Sequence, residues 1–216
     1  MGLFTQFFSR LFGIFHSKRT LKLGLYGPPN SGKTTLANKL CKDWTGEELG
    51  IASKVPHETR EILTKENVVV KHDGKELTLN LVDTPGIATR IDYEDFVKAG
   101  LTDAESKTRA KEATKGVIDA IKWLDDMEAV LVILDATRDP YNQVNLTILG
   151  NLDARKVPAL IVANKIDLRK ADVKHVQSAF PQYEVVGISA KTGEGFEEFY
   201  EKLFSLGKGK RPAKKQ

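Results

Sequence analysis

"GPPNSGKT" (residues 27–34) stands between the apolar run "LKLGLYG" and the helix-forming run "SGKTTLANKLCKDW". It fits the pattern G-x-x-x-x-G-K-[ST] letter for letter, in the strand-before, helix-after setting that gives the pattern its meaning. Glycines let such a loop wrap closely, its backbone N–H groups converge on phosphate oxygens, and the next helix adds the positive end of its dipole. Gly27, Asn30, Ser31, Gly32, Lys33, Thr34 and Thr35 are therefore the expected phosphate-binding residues. Lys33 would reach the β- and γ-phosphates, and the Thr34 hydroxyl would ligate Mg2+.

Three further motifs follow in order. "DTPG" (residues 83–86) ends a strand; Asp83 is expected to hold Mg2+ through water, and the Gly86 N–H to meet a γ-phosphate. "NKID" (residues 164–167) ends another strand, with Asn164, Lys165 and Asp167 as guanine-binding candidates. The Asp167 carboxylate can accept from both the N1–H and the exocyclic amine of guanine, a pair adenine cannot offer. Loss of such a contact in a buried pocket costs a few kcal/mol, enough to exclude ATP. "SAK" (Ser189, Ala190, Lys191) follows the last strand and would close over the base. All four motifs fall at carboxyl ends of strands, where open α/β sheets bind ligands. GTP and GDP are the implied substrate and product.

The surrounding pattern fits that site. "AVLVILDAT", "ALIVANK" and "YEVVGISA" are continuous apolar runs separated by helical segments, and "FEEFYEKLFSL" closes the body. Such alternation implies an α/β P-loop fold with a mostly parallel sheet covered on both faces. "NVVVKHDGKELTLNLVD" reads as a hairpin turning at Asp73-Gly74, which adds one antiparallel edge strand and brings the sheet to six. A long connection, about residues 87–125, ends in "TDAESKTRAKEATKGVIDAIKWLDD", where Thr102 and Glu105 form a capping box.

The 216 residues suffice for one domain with short appendages. A single cysteine, Cys41, rules out an intramolecular disulfide, and four scattered histidines without cysteine partners do not suggest a structural zinc site. The net charge of +4 is unevenly placed. Residues 1–22 hold four basic residues and 206–216 hold five, with no acid in either, which leaves 24 basic against 29 acidic residues between them. The body is thus mildly acidic with a basic segment at each end. The expected division is an N-terminal helix at 1–17, a nucleotide-binding domain at 18–205 and a basic disordered tail at 206–216.

On these motifs the chain resembles the translation-factor class of small GTPases, most closely the Era/TrmE group, over about residues 21–205. "GISAKTGEGFEEFYEKL" is similar to that group's last motif and helix, and "VPHETREI" to its P-x-T-T-R switch I signature. The resemblance implies that Thr59 senses Mg2+ and the γ-phosphate, which makes Lys33, Thr59 and Gly86 the catalytic candidates. Glu58 replaces the first threonine of that signature, and Thr64 is the fallback. Many small GTPases place a glutamine after the D-x-x-G glycine to orient the attacking water. Here Ile87 stands there and can make no such bond, so intrinsic turnover is expected to be slow. Asn30 matches an asparagine that helps bind K+ in some relatives of the group; it either does so here or only stabilises the loop. Arg60, Arg90 or a partner are other ways to complete the site.

"MGLFTQFFSRLFGIF" opens the chain with five of its ten phenylalanines and no acid. At about 100° per residue, Leu3, Phe4, Phe7, Phe8, Leu11, Phe12, Ile14 and Phe15 fill one half of a helical wheel, and polar or small residues fill the other. That helix is too short to span a bilayer and lacks the marks of a signal peptide. It is similar to the N-terminal membrane helix of the Arf family. An interfacial helix with those eight residues in the membrane is the favoured reading, and packing on the globule or on a second copy is the other. Nucleotide sits at the carboxyl ends of the strands, so both basic ends are expected to leave from the opposite pole and face an anionic membrane.

The leading expectation is a GTP-hydrolysing switch in the cytoplasm, peripheral on the inner face of a membrane. Its effector would meet switch I, switch II and the 87–125 insert, with Tyr93 and Phe96 as contacts. An RNA-binding, ribosome-assembly GTPase ranks second, because the sequence stops soon after the last helix, where no KH-type domain with its GXXG loop is expected, and the basic tail has no aromatic residue for stacking on bases. A GTPase that self-assembles through its N-terminal helix, with a GTP-dependent homodimer as one form, is the third reading.

Overall fold

The computed structural model describes residues 20–47, 62–85, 100 and 102–208. Their strands are β1 (Thr20–Tyr26), β2 (Leu63–His72), β3 (Lys75–Asp83), β4 (Ala129–Asp135), β5 (Ala159–Asn164) and β6 (Glu184–Ile188). The helices are α1 (Lys33–Thr45), α2 (Asp103–Trp123), α3 (Gln143–Arg155), α4 (Val173–Ala179) and α5 (Phe196–Lys208).

The strands form one six-stranded sheet in the order β2-β3-β1-β4-β5-β6. Every pairing is parallel except that of β2 with β3. β4 is buried along nearly its whole length, as a strand covered on both faces must be. Its alternate side chains serve two cores. Leu131 and Ile133 join Leu36 and Leu40 of α1 and Phe199 and Leu203 of α5 on one face. Val130, Val132 and Leu134 join Ala120 of α2, Ile148 of α3 and Val176 of α4 on the other. Each large side chain so buried contributes roughly 2 kcal/mol.

The β2–β3 turn forms where expected. Asp73 and Gly74 both take left-handed backbone, φ 48° and 69°, the geometry that lets a two-residue loop follow the strands' twist. β2 is longer than the apolar letters suggested. It starts at Leu63, and a register shift between Lys65 and Val68 absorbs Asn67 (φ 58°). Its outer half is an exposed edge, so hydrogen bonding to β3 holds it there without an apolar signal. Thr64 thereby pairs with Val82 inside the ladder. The capping box of α2 is present, with Glu105 N–H donating to Thr102 Oγ1 and Thr102 N–H to Glu105 Oε2. Cys41 is buried in α1.

β1 lies between β3 and β4, and the chain leaves its two flanks in opposite directions, which opens a crevice at its carboxyl end. At the other pole β1 begins beside the end of α5. A Cβ added at Gly207 would stand 3.2 Å from the Leu77 methyls and 3.6 Å from Leu21 Cδ2.

Candidate nucleotide-binding site

Three strand ends and the last loop converge on the loop after β1. Lys33 is buried, and its Nζ donates to the carbonyls of Gly27 at 3.2 Å and Pro28 at 3.0 Å. Burial pulls its ammonium down to about 8, against the opposing charge of Asp83. Thr34 Oγ1 donates to Asp83 Oδ2 at 2.7 Å, so the carboxyl end of β3 is tied to the first turn of α1. Burial raises the Asp83 carboxyl, while Lys33 and the Thr34 bond pull the other way. Next to it, Thr84 Oγ1 donates to Leu25 O at 2.7 Å and fixes "DTPG" to β1.

The helix that receives this loop starts differently from its neighbours. α2, α3 and α4 begin on side-chain caps from Thr102, Asn142 and Asp172. α1 begins on Gly32 with no side-chain cap. No cap side chain covers that amino end, and an anion is what a helix amino end accepts. Ser31 Oγ and Asp83 Oδ1 are buried without hydrogen-bond partners. An unpaired buried oxygen costs about 1–3 kcal/mol, so both atoms point to something that binds here. Thr34 and Asp83 offer hard oxygen donors side by side, which fits Mg2+. Asn30 is exposed at the crest of the loop with φ 60°, a conformation asparagine tolerates.

At the base end, Asn164 joins three motifs. Its Nδ2 donates 2.8 Å to Ser31 O, and its Oδ1 accepts from Ala190 N at 2.9 Å. Gly32 packs against it so closely that a Cβ there would sit 2.2 Å from Nδ2, at a φ of 99°. Asn164 is 3% exposed and both its polar atoms meet protein partners, so it frames the pocket. Ser189 is buried, and its Oγ accepts from Thr192 N at 3.1 Å. Asp167 and Lys191 are exposed, as a pair facing an entering base should be, and Thr35 is half-buried beside Thr34.

One residue of this site was absent from the sequence reading. Asp135, which ends β4, accepts from Lys165 Nζ at 2.6 Å and from Thr137 N and Oγ1 at 3.0 and 2.6 Å. Burial pushes its carboxyl up, yet Lys165 and Thr137 outweigh that and hold it below the usual range. Its signal was an apolar strand that ends on an acid, as β3 ends on Asp83. Thr59, Gly86, Arg60 and Arg90 as the alternatives to K+ for completing the site, Ile87, Tyr93 and Phe96 lie outside the described residues, as do the eight apolar residues of the N-terminal helix.

Comparison with known proteins agrees with this geometry. A family profile for 50S ribosome-binding GTPases matches residues 22–165. The tRNA modification GTPase MnmE of Chlorobium chlorochromatii is 30% identical over 207 residues, which cover 92% of this chain and 38% of that protein. GTPase Era of Geotalea uraniireducens is 29% identical over 187 residues, 83% of this chain and 52% of that one. This chain therefore spans about two fifths to one half of those relatives' lengths. Among solved structures, Era of Aquifex aeolicus bound to GDP and AlF4− superposes with a TM-score of 0.66 at 21% identity, over 91% of this chain and 58% of that one.

Proposed function

Because this chain belongs to the 50S ribosome-binding GTPase family, we propose that it is a switch that binds GTP, hydrolyses it to GDP and phosphate, and rests peripherally on a membrane. The Thr34–Asp83 hydrogen bond carries the nucleotide part, since it joins the phosphate loop to the strand end that carries "DTPG". Asp83 Oδ1 stands beside that bond, buried and unpartnered.

Thr34 and Asp83 would hold Mg2+, which supplies positive charge against the phosphate oxygens. Lys33 opposes the charge that gathers on the β-phosphate as water bonds to the γ-phosphorus and the bridging P–O bond breaks. The uncapped start of α1 binds the same oxygens, and Asp167 selects guanine over adenine. Thr59 and Gly86 would report the γ-phosphate, whose loss frees both switches. Ile87 cannot orient the water, so basal turnover is slow, and Asn30 with K+ would supply the missing charge. Phosphate release in KCl and in NaCl tests this. Faster turnover in KCl that disappears in Asn30→Ala supports it, whereas equal rates in both salts overturn it.

The membrane part rests on the N-terminal half-wheel and on topology. β1 begins, and α5 ends, at the pole away from the phosphate loop, where Gly207 packs on Leu21 and Leu77. An amphipathic helix and a basic tail that leave the same pole make a two-signal anchor for an anionic, cytoplasm-facing leaflet. Switch I, switch II and the 87–125 insert then face an effector or a second copy on the other side. Liposome co-sedimentation of the full chain and of a version lacking residues 1–17, each with GDP or a non-hydrolysable GTP analogue, is the test. Helix-dependent sedimentation supports the anchor, and nucleotide dependence would make it switched. A full chain that stays in the supernatant refutes it; salt-sensitive RNA binding would then favour an RNA-directed GTPase.

A further inference from the structure

A second charged cluster lies apart from the nucleotide site, at the opposite end of β3 from Asp83. His72 ends β2, Asp73 opens the turn into β3, and α5 carries Glu197 and Glu201 four residues apart, hence on one face. The His72 ring is held between aromatic neighbours, 5.8 Å from Tyr200 and 6.1 Å from Phe204, tilted by about 35° to each. Its side chain is only 9% exposed, and Nε2 is buried without a hydrogen-bond partner. That nitrogen is aimed at carboxylates, 3.8 Å from Asp73 Oδ2 and 3.9 Å from Glu197 Oε1, too far for hydrogen bonds. One donor atom each from His72, Asp73 and Glu201 fall within 4.8 Å of one another.

We propose that His72, Asp73 and Glu201, with Glu197 alongside, bind one divalent transition-metal cation. Zn2+ bonds to imidazole nitrogen and carboxylate oxygen at about 2.0–2.2 Å, which puts neighbouring tetrahedral donors roughly 3.4 Å apart. The His72 Nε2 distances to Asp73 and Glu197 exceed that by a few tenths of an ångström, and the donors of His72, Asp73 and Glu201 lie within 4.8 Å of one another. Asp73 and Glu197 are 65% and 83% exposed, so their carboxylates can close the gap by side-chain rotation. Imidazole favours Zn2+ and its neighbours over Mg2+ and Ca2+, which prefer all-oxygen shells. Among the described residues, Lys71 pairs with Glu76 and Lys202 with Glu198, and no lysine forms an ion pair with Asp73, Glu197 or Glu201. The cluster thus gathers three acids around one nitrogen that lacks a hydrogen bond. A bound ion would pin the tip of the edge hairpin to α5.

The test is calorimetric titration of ZnCl2 into the tag-free full chain, saturated with GDP and held in excess Mg2+ so that the phosphate site is filled. The expected result is one saturable site that Mg2+ does not compete for. His72→Gln and Glu201→Gln should each weaken it by ~10-fold or more and leave affinity for fluorescent GDP unchanged. No saturable uptake, competition by Mg2+, or uptake that neither substitution alters would overturn the proposal. Should His72→Gln unfold the chain, Glu201→Gln decides, because its side chain lies in solvent.

Discussion

At the phosphate end of the site, Ser31 Oγ and Asp83 Oδ1 are buried without partners, and α1 starts on Gly32 with no cap. At the base end, Asn164 bonds both the phosphate loop and Ala190, Ser189 is bonded by Thr192, and Lys165 is held by Asp135. One end is incomplete until a ligand arrives; the other is finished in advance. Each unpaired buried group costs about 1–3 kcal/mol in the empty protein, and a bound nucleotide with its cation would relieve it. The frame proposed to read the base needs no such relief. Nucleotide binding should therefore stabilise the region round β1 and β3 more than the region round β5 and β6.

The most damaging way to break this contrast is Gly32→Ala, which strikes the seam between the ends. Its Cβ would overlap Asn164 Nδ2 at a left-handed φ. Affinity for fluorescent GDP should fall by ~1000-fold or more, the outcome of misplacing both a phosphate amide and the frame. Asn164→Ala comes next, since it orphans Ser31 O and Ala190 N. Two such losses are worth about 3 kcal/mol, roughly a hundredfold in GDP affinity. In a chain of this size thermal unfolding should drop by roughly 6–12 °C.

Removal of Mg2+ with EDTA acts on the phosphate end alone, because it leaves Asp83 facing bare phosphate. GDP affinity should weaken by roughly thirtyfold, or about 2 kcal/mol, and Asp83→Asn should blunt that dependence. The pH dependence sharpens the same point. The empty protein gives up the Lys33 proton near pH 8, but phosphate stabilises the charged form, so binding takes up a proton above that pH. Affinity should fall by ~10-fold per pH unit from 8 towards 10, as linkage requires. In the same window the unfolded chain holds that proton up to 10.5, so the empty protein gains stability from this group as pH rises. Asp135→Asn should have the smallest effect. It loosens Lys165 at a site open on one side, so a loss of about 1 kcal/mol, roughly fivefold in GDP affinity, is expected, with discrimination against ATP unchanged.

The sheet was legible because its strands are continuous apolar runs and its helices carry their own punctuation, from Asp73-Gly74 to the Thr102–Glu105 box. The first part of β2 was not, since Leu63–Asn67 lies on an exposed edge where no hydrophobic pattern marks a strand. The phosphate loop announced itself because glycine spacing there is a backbone requirement. Asn164 was legible as part of the base motif but not as the link between two loops, and Asp135 was not legible at all, since both roles depend on partners that folding alone brings near. Ser31 and Asn164 are 133 residues apart, and Asp135 and Lys165 are 30 apart.

What the sequence determined by itself is the set of local commands: which segments turn, which become helix, which strand ends carry acids, and that the site should take a guanine nucleotide. Those follow from steric and hydrogen-bonding rules that act within a few residues. Only the tertiary structure decided which polar atoms are paired and which are left for a ligand. It alone oriented Asn164 between two loops, lowered the Lys33 ammonium by burial and set His72 against the carboxylates of α5. These are properties of distance and solvent exclusion, and a chain acquires them only when residues far apart in order pack together.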